Sequence, residues 1–234
     1  MHEHCGHTHT EPHEHGNVTD TVLAIKTQLY AQANPQAAER MLREGCRHKV
    51  NLGIDAVLLR PIAQQHPNNH ELALALFRDD MRECKLLATM IESPLAITDR
   101  QMDEWQKDLI DHEMVQAMCN MLQYSRLAIA RSYEWCLSSD TYTQLSGIQV
   151  ITYVIERNKL EREVVEPYIE LAEELADGCG AELTQAIPQL LALIAQRHPE
   201  LRQRVEASAH RLQQHNSATA SEVGRNALQL LNDK

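Results

Sequence analysis

The chain contains 234 residues, of which 43% are hydrophobic and 24% charged, enough for one well-buried domain or two small ones. Its 22 Lys and Arg residues against 33 Asp and Glu give a net charge of -11, which opposes binding to nucleic-acid phosphates or to an anionic membrane unless a local basic patch overrides it. Aromatic residues make up 4%, and with eight glycines and eight prolines the composition suits neither a β-sheet protein nor a Pro/Gly-rich disordered chain. An all-α protein is predicted.

Helix signals begin at residue 17 and recur about every 15 residues along the rest of the chain. Thr19 or Asp20 is predicted to cap the first helix, and Asn34 followed by Pro35 is predicted to start the second. A third helix is predicted to begin near Gly53. No segment of the sequence requires a β-strand.

Further signals mark the starts of later helices. Pro61 is tolerated in the third helix only near its first turn. Asp79 and Asp80 place negative charge where another helix is predicted to start, which the helix dipole favours. Thr98, with Gln101 three residues later, predicts a capping box.

The remaining pattern indicates how the helices pack. Trp105 and Trp135 lie on apolar helix faces and are predicted to be core residues rather than base-stacking platforms. Pro167 and Pro188 fall inside helical patterns, where each marks a kink or a late helix start. About a dozen short helices, none able to bury its own apolar face, predict an α-solenoid of antiparallel helical repeats. Residues 17–234 are predicted to form this single domain.

The cysteines predict a reducing compartment. They contain no Cys-x-x-Cys pair and are too sparse for a disulfide scaffold. The N-terminus has no basic and apolar segments typical of a signal peptide, and no stretch approaches the roughly 20 apolar residues of a membrane span. A cytoplasmic location is therefore predicted. The six cysteines are Cys5, Cys46, Cys84, Cys119, Cys136 and Cys179.

The first 16 residues form a His-rich N-terminal tail that has no aliphatic residue after Met1 and is predicted to be disordered. Its side chains suit Zn, Ni or Cu, but they lack the fixed spacing of a closed structural site. No cofactor is required, and Zn or Ni bound here can be adventitious. The candidate metal ligands are His2, His4, Cys5, His7, His9, His13 and His15.

Three segments carry a resemblance to a known family. Residues 53–63 (GIDAVLLRPIA), residues 82–88 (RECKLLA) and residues 185–202 resemble, in order and spacing, helices of the DNA alkylation repair family, the HEAT-like-repeat alkylpurine DNA glycosylases. The similarity extends over residues 18–215 and implies a solenoid of HEAT-like repeats. It also implies an activity, the excision of cationic alkylated bases from a duplex lying in a concave groove.

The resemblance indicates that the catalytic groups are missing. In the family, an aspartate stabilises the developing sugar cation, two tryptophans flank the lesion and an arginine holds phosphate. The first tryptophan corresponds here to His112 and the aspartate to Gln116, whose amide supplies no negative charge. The arginine corresponds to a position at or near Leu145, the second tryptophan to one near Gln189, and a further arginine to one near Ala192. We therefore predict no catalytic residues and a binding or scaffold protein that uses the concave face.

One enzymatic function stays open, together with metal handling by the tail. We call His112 and Gln116, which replace the family's tryptophan and aspartate, the degenerate frame. Glu113, which lies beside it, is the candidate substitute carboxylate if the chain is still a DNA glycosylase. His112-Glu113-x-x-Gln116 also resembles half of a zinc-protease motif, but its second ligand is missing. Residues 161–177 carry seven acidic residues against Arg162, which disfavours DNA. The predicted partner is therefore a protein or basic peptide rather than DNA or a membrane.

Overall fold

The computed structural model describes residues 17–233, which form helices throughout. The only β pairing within this range is a single parallel bridge between Val50 and Met81. Two short 3-10 helices, Gln106–Asp108 and Pro199–Leu201, follow α6 and α12. The α-helices are α1 (Val18–Ala31), α2 (Pro35–Arg43), α3 (Ala56–Ala63), α4 (His70–Phe77), α5 (Arg82–Ile91), α6 (Asp99–Trp105), α7 (His112–Leu122), α8 (Ala128–Cys136), α9 (Thr141–Arg157), α10 (Arg162–Val165), α11 (Pro167–Ala176), α12 (Ala181–Arg197), α13 (Arg202–Gln213) and α14 (Ala218–Asn232).

The helices pack as two rows, as the sequence predicts for a HEAT-like α-solenoid. Helices α3, α5, α7, α9, α12 and α14 contact one another in succession, and we call them the inner row. Helices α4, α8, α11 and α13 pack against them from the other side, and α8, α11 and α13 contact each other in turn. No helix within residues 17–233 combines the length and apolar character that a bilayer span needs.

Capping residues start most of the helices. The side chain of Asn34 accepts a hydrogen bond from the Ala37 backbone N–H at the start of α2, as predicted. Thr98 and Gln101 form the predicted capping box on α6. The first helix, however, is capped by Asn17 and not by Thr19 or Asp20, which lie within its first turn.

Two predicted helix starts lie a few residues too early, because tertiary contacts hold the preceding residues outside the helices. Gly53 has a φ of 70° and lies in the irregular segment before α3, so α3 begins later, after the cap Asp55, and Pro61 lies in its second turn. Asp79 and Asp80 do not start α5; they pair with Lys26 of α1 (2.5 Å) and Lys49 (2.9 Å).

The two helical prolines have different positions. Pro167 is the first residue of α11, which confirms a late helix start. Pro188 lies inside α12, which begins well before it at Ala181, so the alternative of a late start is wrong there. Since Pro188 has no N–H, the Thr184 carbonyl lacks its usual helical donor.

Both tryptophans are core residues, as predicted. Trp105 is buried and its ring stacks on that of Phe77, with centroids 3.9 Å apart. Trp135 is also buried, and its indole N–H donates to the Gln106 side chain at 2.7 Å. Neither ring is free to stack on a nucleic-acid base.

The acidic stretch at residues 161–177 is partly neutralised, since three of its seven acidic side chains pair with arginines. Glu166, just before α11, and Glu170 of α11 both pair with Arg204 of α13. One turn further along, Glu173 pairs with Arg211 at 2.5 Å. These bonds lie between two helices outside the inner row, so a substantial part of the negative charge is paired away from the inner row.

Candidate binding surface on the inner row

Helix α7 presents a polar stripe to solvent. His112, Gln116 and Asn120 are exposed and recur every fourth residue, which places them on one helix face. The residues between them turn inward: Met114 and Val115 are fully buried. The two residues that correspond to the family's tryptophan and aspartate are therefore at the surface.

The helices of the inner row run parallel, so that their N-terminal ends meet at one edge. The His112 Nε2 atom lies 3.2 Å from a carboxylate oxygen of Glu182 at the start of α12. Its ring also contacts the ring of Tyr142, at the start of α9, edge to face at 5.5 Å. We call this the N-terminal edge; it also carries the exposed helix cap Asp140.

Glu113 points away from the polar stripe. Its two carboxylate oxygens accept hydrogen bonds from Nε and Nη2 of Arg82, both at 2.5 Å. Arg82 also donates from Nη1 to Glu83 (2.7 Å) and to the Ile54 carbonyl (2.9 Å). Burial opposes the charge of this guanidinium, but the bonds to Glu113 raise its pKa above the ordinary arginine value.

The opposite ends of the same helices form a second edge. Arg157 at the end of α9 donates to the Tyr124 hydroxyl just after α7 at 2.5 Å, and its guanidinium lies 4.1 Å from that ring's centroid. Arg197 at the end of α12 donates to the backbone carbonyl of Glu156. We call this the C-terminal edge.

A cleft of about 660 Å³ opens at the C-terminal edge between α3, α5 and α7. Its lining includes Arg60, Asn68, Asn120 and Tyr124. Glu92 also lines the cleft, but its side chain is buried and accepts hydrogen bonds from Gln101 and the Ser93 N–H. The cleft therefore offers a cation, amides and a phenol ring to a ligand.

The surface between the two edges is rich in amides. Gln116 and Asn120 of α7 and Gln185 and Gln189 of α12 are exposed, and half-buried Gln149 lies on α9 between these helices. The Gln149 Oε1 atom is buried and accepts no hydrogen bond from residues 17–233. Such a surface can both donate and accept hydrogen bonds but supplies no charge.

Residues 17–233 contain no group of three or more His, Cys, Asp or Glu side chains arranged to hold a metal ion. His112 pairs with Glu182 and Glu113 with Arg82, so the half zinc-protease motif does not form a metal site. The predicted tail ligands, from His2 to His15, lie outside the described residues.

A family model described as DNA alkylation repair enzyme matches residues 25–231. The chain belongs to the DNA alkylation repair enzyme family. The fold agrees with a solved structure described as "A new family of proteins related to the HEAT-like repeat DNA glycosylases with affinity for branched DNA structures". The TM-score is 0.70 at 17% identity, covering 89% of this chain and 94% of the other. No curated protein matches the chain.

The structure separates the positions that correspond to the functional residues of the DNA alkylation repair enzyme family. His112, Gln116 and Gln189 are exposed on the inner row, and Ala192 is half-buried. Leu145 is 2% exposed and belongs to the core of α9, so a residue at this register does not reach a phosphate. The inner row brings three of the five positions to one surface.

Sequence reasoning missed two features of this family member. The Arg82–Glu113 ion pair joins residues 31 positions apart in the chain, so no local sequence pattern predicts it. The basic C-terminal edge is spread over several helices that are far apart in sequence. The only signal for it was the presence of Arg60, Arg157 and Arg197 in the last turns of three helices.

Proposed function

We propose that this protein binds its partner through the inner row and does not hydrolyse glycosidic bonds. The observation that carries the proposal is the pairing of Glu113 with Arg82. Glu113, the candidate to replace the family's aspartate, is held by the buried guanidinium of Arg82 on α5. At the aspartate's own position, Gln116 offers a neutral amide, which cannot stabilise a developing sugar cation.

Using Glu113 as the catalytic carboxylate would require free energy to break its ion pair with Arg82. The Arg82 side chain is 1% exposed, so releasing Glu113 would leave a buried cation with Glu83 as its remaining carboxylate partner. Removing one partner of a buried ion pair costs about 3–5 kcal/mol. Because Glu113 is 37% exposed, the cost here lies toward the lower end, but it would still be added to the barrier of any reaction using that carboxylate.

The experiment is a base-release assay on duplex DNA that carries N3- or N7-alkylated purines. We expect the full chain to release no free alkylpurine above the spontaneous rate. Glu113→Gln tests the relocated carboxylate, and Glu182→Gln, which alters another carboxylate of the inner row, is the matched control. Release by the wild-type protein that is lost in Glu113→Gln and kept in Glu182→Gln would overturn the proposal.

For the partner we propose branched DNA. The related structure described above belongs to proteins with affinity for branched DNA, and it shares the fold over nearly the whole of both chains. The net charge of -11 weighs against DNA, but the acidic residues of α11 are paired with Arg204 and Arg211 outside the inner row. The exposed amides of the inner row fit hydrogen bonding to a nucleic acid without repelling it.

A basic peptide or protein is the second candidate partner, and the protein would then act as a helical scaffold. The observation that favours it is the N-terminal edge, where Asp140 and Glu182 place carboxylates beside the amide surface. Equilibrium binding of a labelled four-way DNA junction, a linear duplex of equal length and an Arg/Lys-rich peptide separates the candidates. Binding of the junction at least about tenfold tighter than the duplex, which corresponds to roughly 1.4 kcal/mol, supports branched DNA. Binding of the peptide alone supports the scaffold.

We also propose a cytoplasmic location and metal binding by the His-rich N-terminal tail. The five cysteines within residues 17–233 are free thiols, which fits a reducing compartment. The tail carries six histidines and one cysteine, donors that favour Zn and Ni.

A further inference from the structure

Five cations line up along the C-terminal edge of the inner row. None of them has a carboxylate partner within residues 17–233, and all are exposed. Arg204 and Arg211 of α13, which pair with carboxylates, contrast with them. The five edge cations are Arg60, Arg126, Arg157, Lys159 and Arg197.

Two of these cations are oriented by neutral groups. Arg157 lies over the Tyr124 ring and donates to its hydroxyl, and Arg197 donates to the Glu156 backbone carbonyl. Such partners restrict the side chain while leaving its positive charge uncompensated. Glu156 itself is exposed at this edge and reduces the local charge by one. The edge nevertheless keeps a positive excess in a chain of negative net charge.

A role limited to helix stability does not explain the whole arrangement. Cations near helix C-termini are stabilising because they interact with the helix dipole. That effect needs no cleft, yet Arg60 borders the cleft of about 660 Å³ that also exposes Asn120 and Tyr124. Arg126 and Lys159, in addition, follow the ends of α7 and α9 and lie outside the helical turns.

We infer that the C-terminal edge docks the phosphodiester backbone of a nucleic acid, with phosphates contacting Arg60, Arg157 and Arg197. This inference rests on the proposed function and assigns one edge of the inner row to backbone contact. The N-terminal edge, which carries the carboxylates of Asp140 and Glu182, then lies away from the phosphates. The neutral amide surface between the two edges stays available for hydrogen bonds to the nucleic acid. A strand following the edge passes the ends of α3, α7, α9 and α12 in order.

The test uses the full chain, a labelled four-way junction and a salt titration. Arg60→Gln, Arg157→Gln and Arg197→Gln each remove one edge cation, and Arg40→Gln and Arg43→Gln remove exposed cations of α2, outside the inner row. We expect each edge variant to weaken binding about fivefold at low salt and to lower the salt slope of log K by about one. The α2 variants should bind like the wild type.

The outcomes separate the two proposals. If the wild-type protein binds the junction but the edge variants bind as tightly as the α2 variants, the edge assignment is overturned and the proposed function stands. If the wild-type protein binds neither junction nor duplex at low salt, branched DNA is overturned as the partner, and the edge assignment falls with it. Because all five substituted side chains are exposed, we expect every variant to melt at the same temperature as the wild type. Thermal melts check this and so separate a loss of binding from a loss of fold.

Discussion

Arg82 and Glu113 form a two-bond ion pair between α5 and α7, with both N···O distances at 2.5 Å. Arg82 is buried and Glu113 is partly exposed, so the pair joins a core cation to the edge of the inner row. Glu83 completes the group by accepting from Arg82 and from the Leu52 and Ile54 backbone N–H groups. The pair joins two neighbouring helices of the inner row and holds the Glu113 carboxylate away from the polar stripe of α7.

Removing this pair is expected to destabilise the fold. Glu113→Gln leaves the Arg82 charge with one carboxylate fewer, and we expect the free energy of unfolding to fall by about 2 kcal/mol. Urea denaturation followed by circular dichroism measures the change. Glu104→Gln, which breaks an exposed pair with Arg100 on α6, is the matched control and should change stability by less than about 0.5 kcal/mol. Equal losses in the two variants would show that the Arg82 pair is unimportant.

Gly53 is expected to tolerate no side chain. Its φ is 70°, and a Cβ atom there would overlap the Asn34 carbonyl oxygen and lie 2.5 Å from the Ala38 nitrogen. Gly178 has the same φ but open space around it, so Gly178→Ala reports backbone strain alone. We expect Gly53→Ala to cost about 3 kcal/mol more than Gly178→Ala, because α2 would have to move. Similar melting temperatures for the two variants would contradict the close packing of Gly53 on α2.

Most of the fold could be predicted from the sequence because helices are specified locally. The Asn34 cap and the Thr98–Gln101 capping box are signals within four residues, and the structure confirms them. The starts of α3 and α5 were wrong because distant contacts decide them. The bridge between Val50 and Met81 holds the chain extended up to the start of α5.

The candidate surface was less predictable, because it depends on how helices align in space. The acidic residues in 161–177 predicted a surface that repels DNA. In the structure, however, Glu173 of this stretch pairs with Arg211, which lies 38 residues later in the chain. Leu145 was placed at a phosphate-binding position by resemblance, whereas the packing of α9 buries it. His112, Gln116 and Gln189, placed at functional positions by the same resemblance, are exposed.

The His-rich N-terminal tail is expected to account for any tight binding of Zn or Ni. The candidate ligands all precede residue 17, and residues 17–233 contain no cluster arranged to hold a metal. Isothermal titration of the full chain and of a form beginning at Asn17 should therefore give binding only in the full chain. Equal stoichiometry in the two forms would assign the metal to the folded part and remove the tail from consideration.

His48 is expected to make the protein less stable in mild acid. Its side chain is 2% exposed, and its Nε2 atom lies 3.5 Å from an Asp111 carboxylate oxygen. Burial lowers the pKa of this histidine below its ordinary value of 6.5; the Asp111 charge opposes the shift, while Lys85 and Arg82 add to it.

Because the folded pKa of His48 is depressed, the unfolded chain takes up a proton at this position more readily than the folded chain does. The stabilisation of the folded state by neutral His48 is fully present above about pH 6.5. It is lost as the pH falls from there toward the pKa that His48 has in the folded state. We compare the unfolding free energy at about pH 7.5 and about pH 5.5 and expect His48→Gln to lose less stability across this interval than the wild type. His210→Gln, which alters an exposed histidine of α13, should behave like the wild type. An identical loss in His48→Gln and wild type would contradict a depressed pKa of His48, and a larger loss in His48→Gln would mean that Asp111 raises that pKa instead.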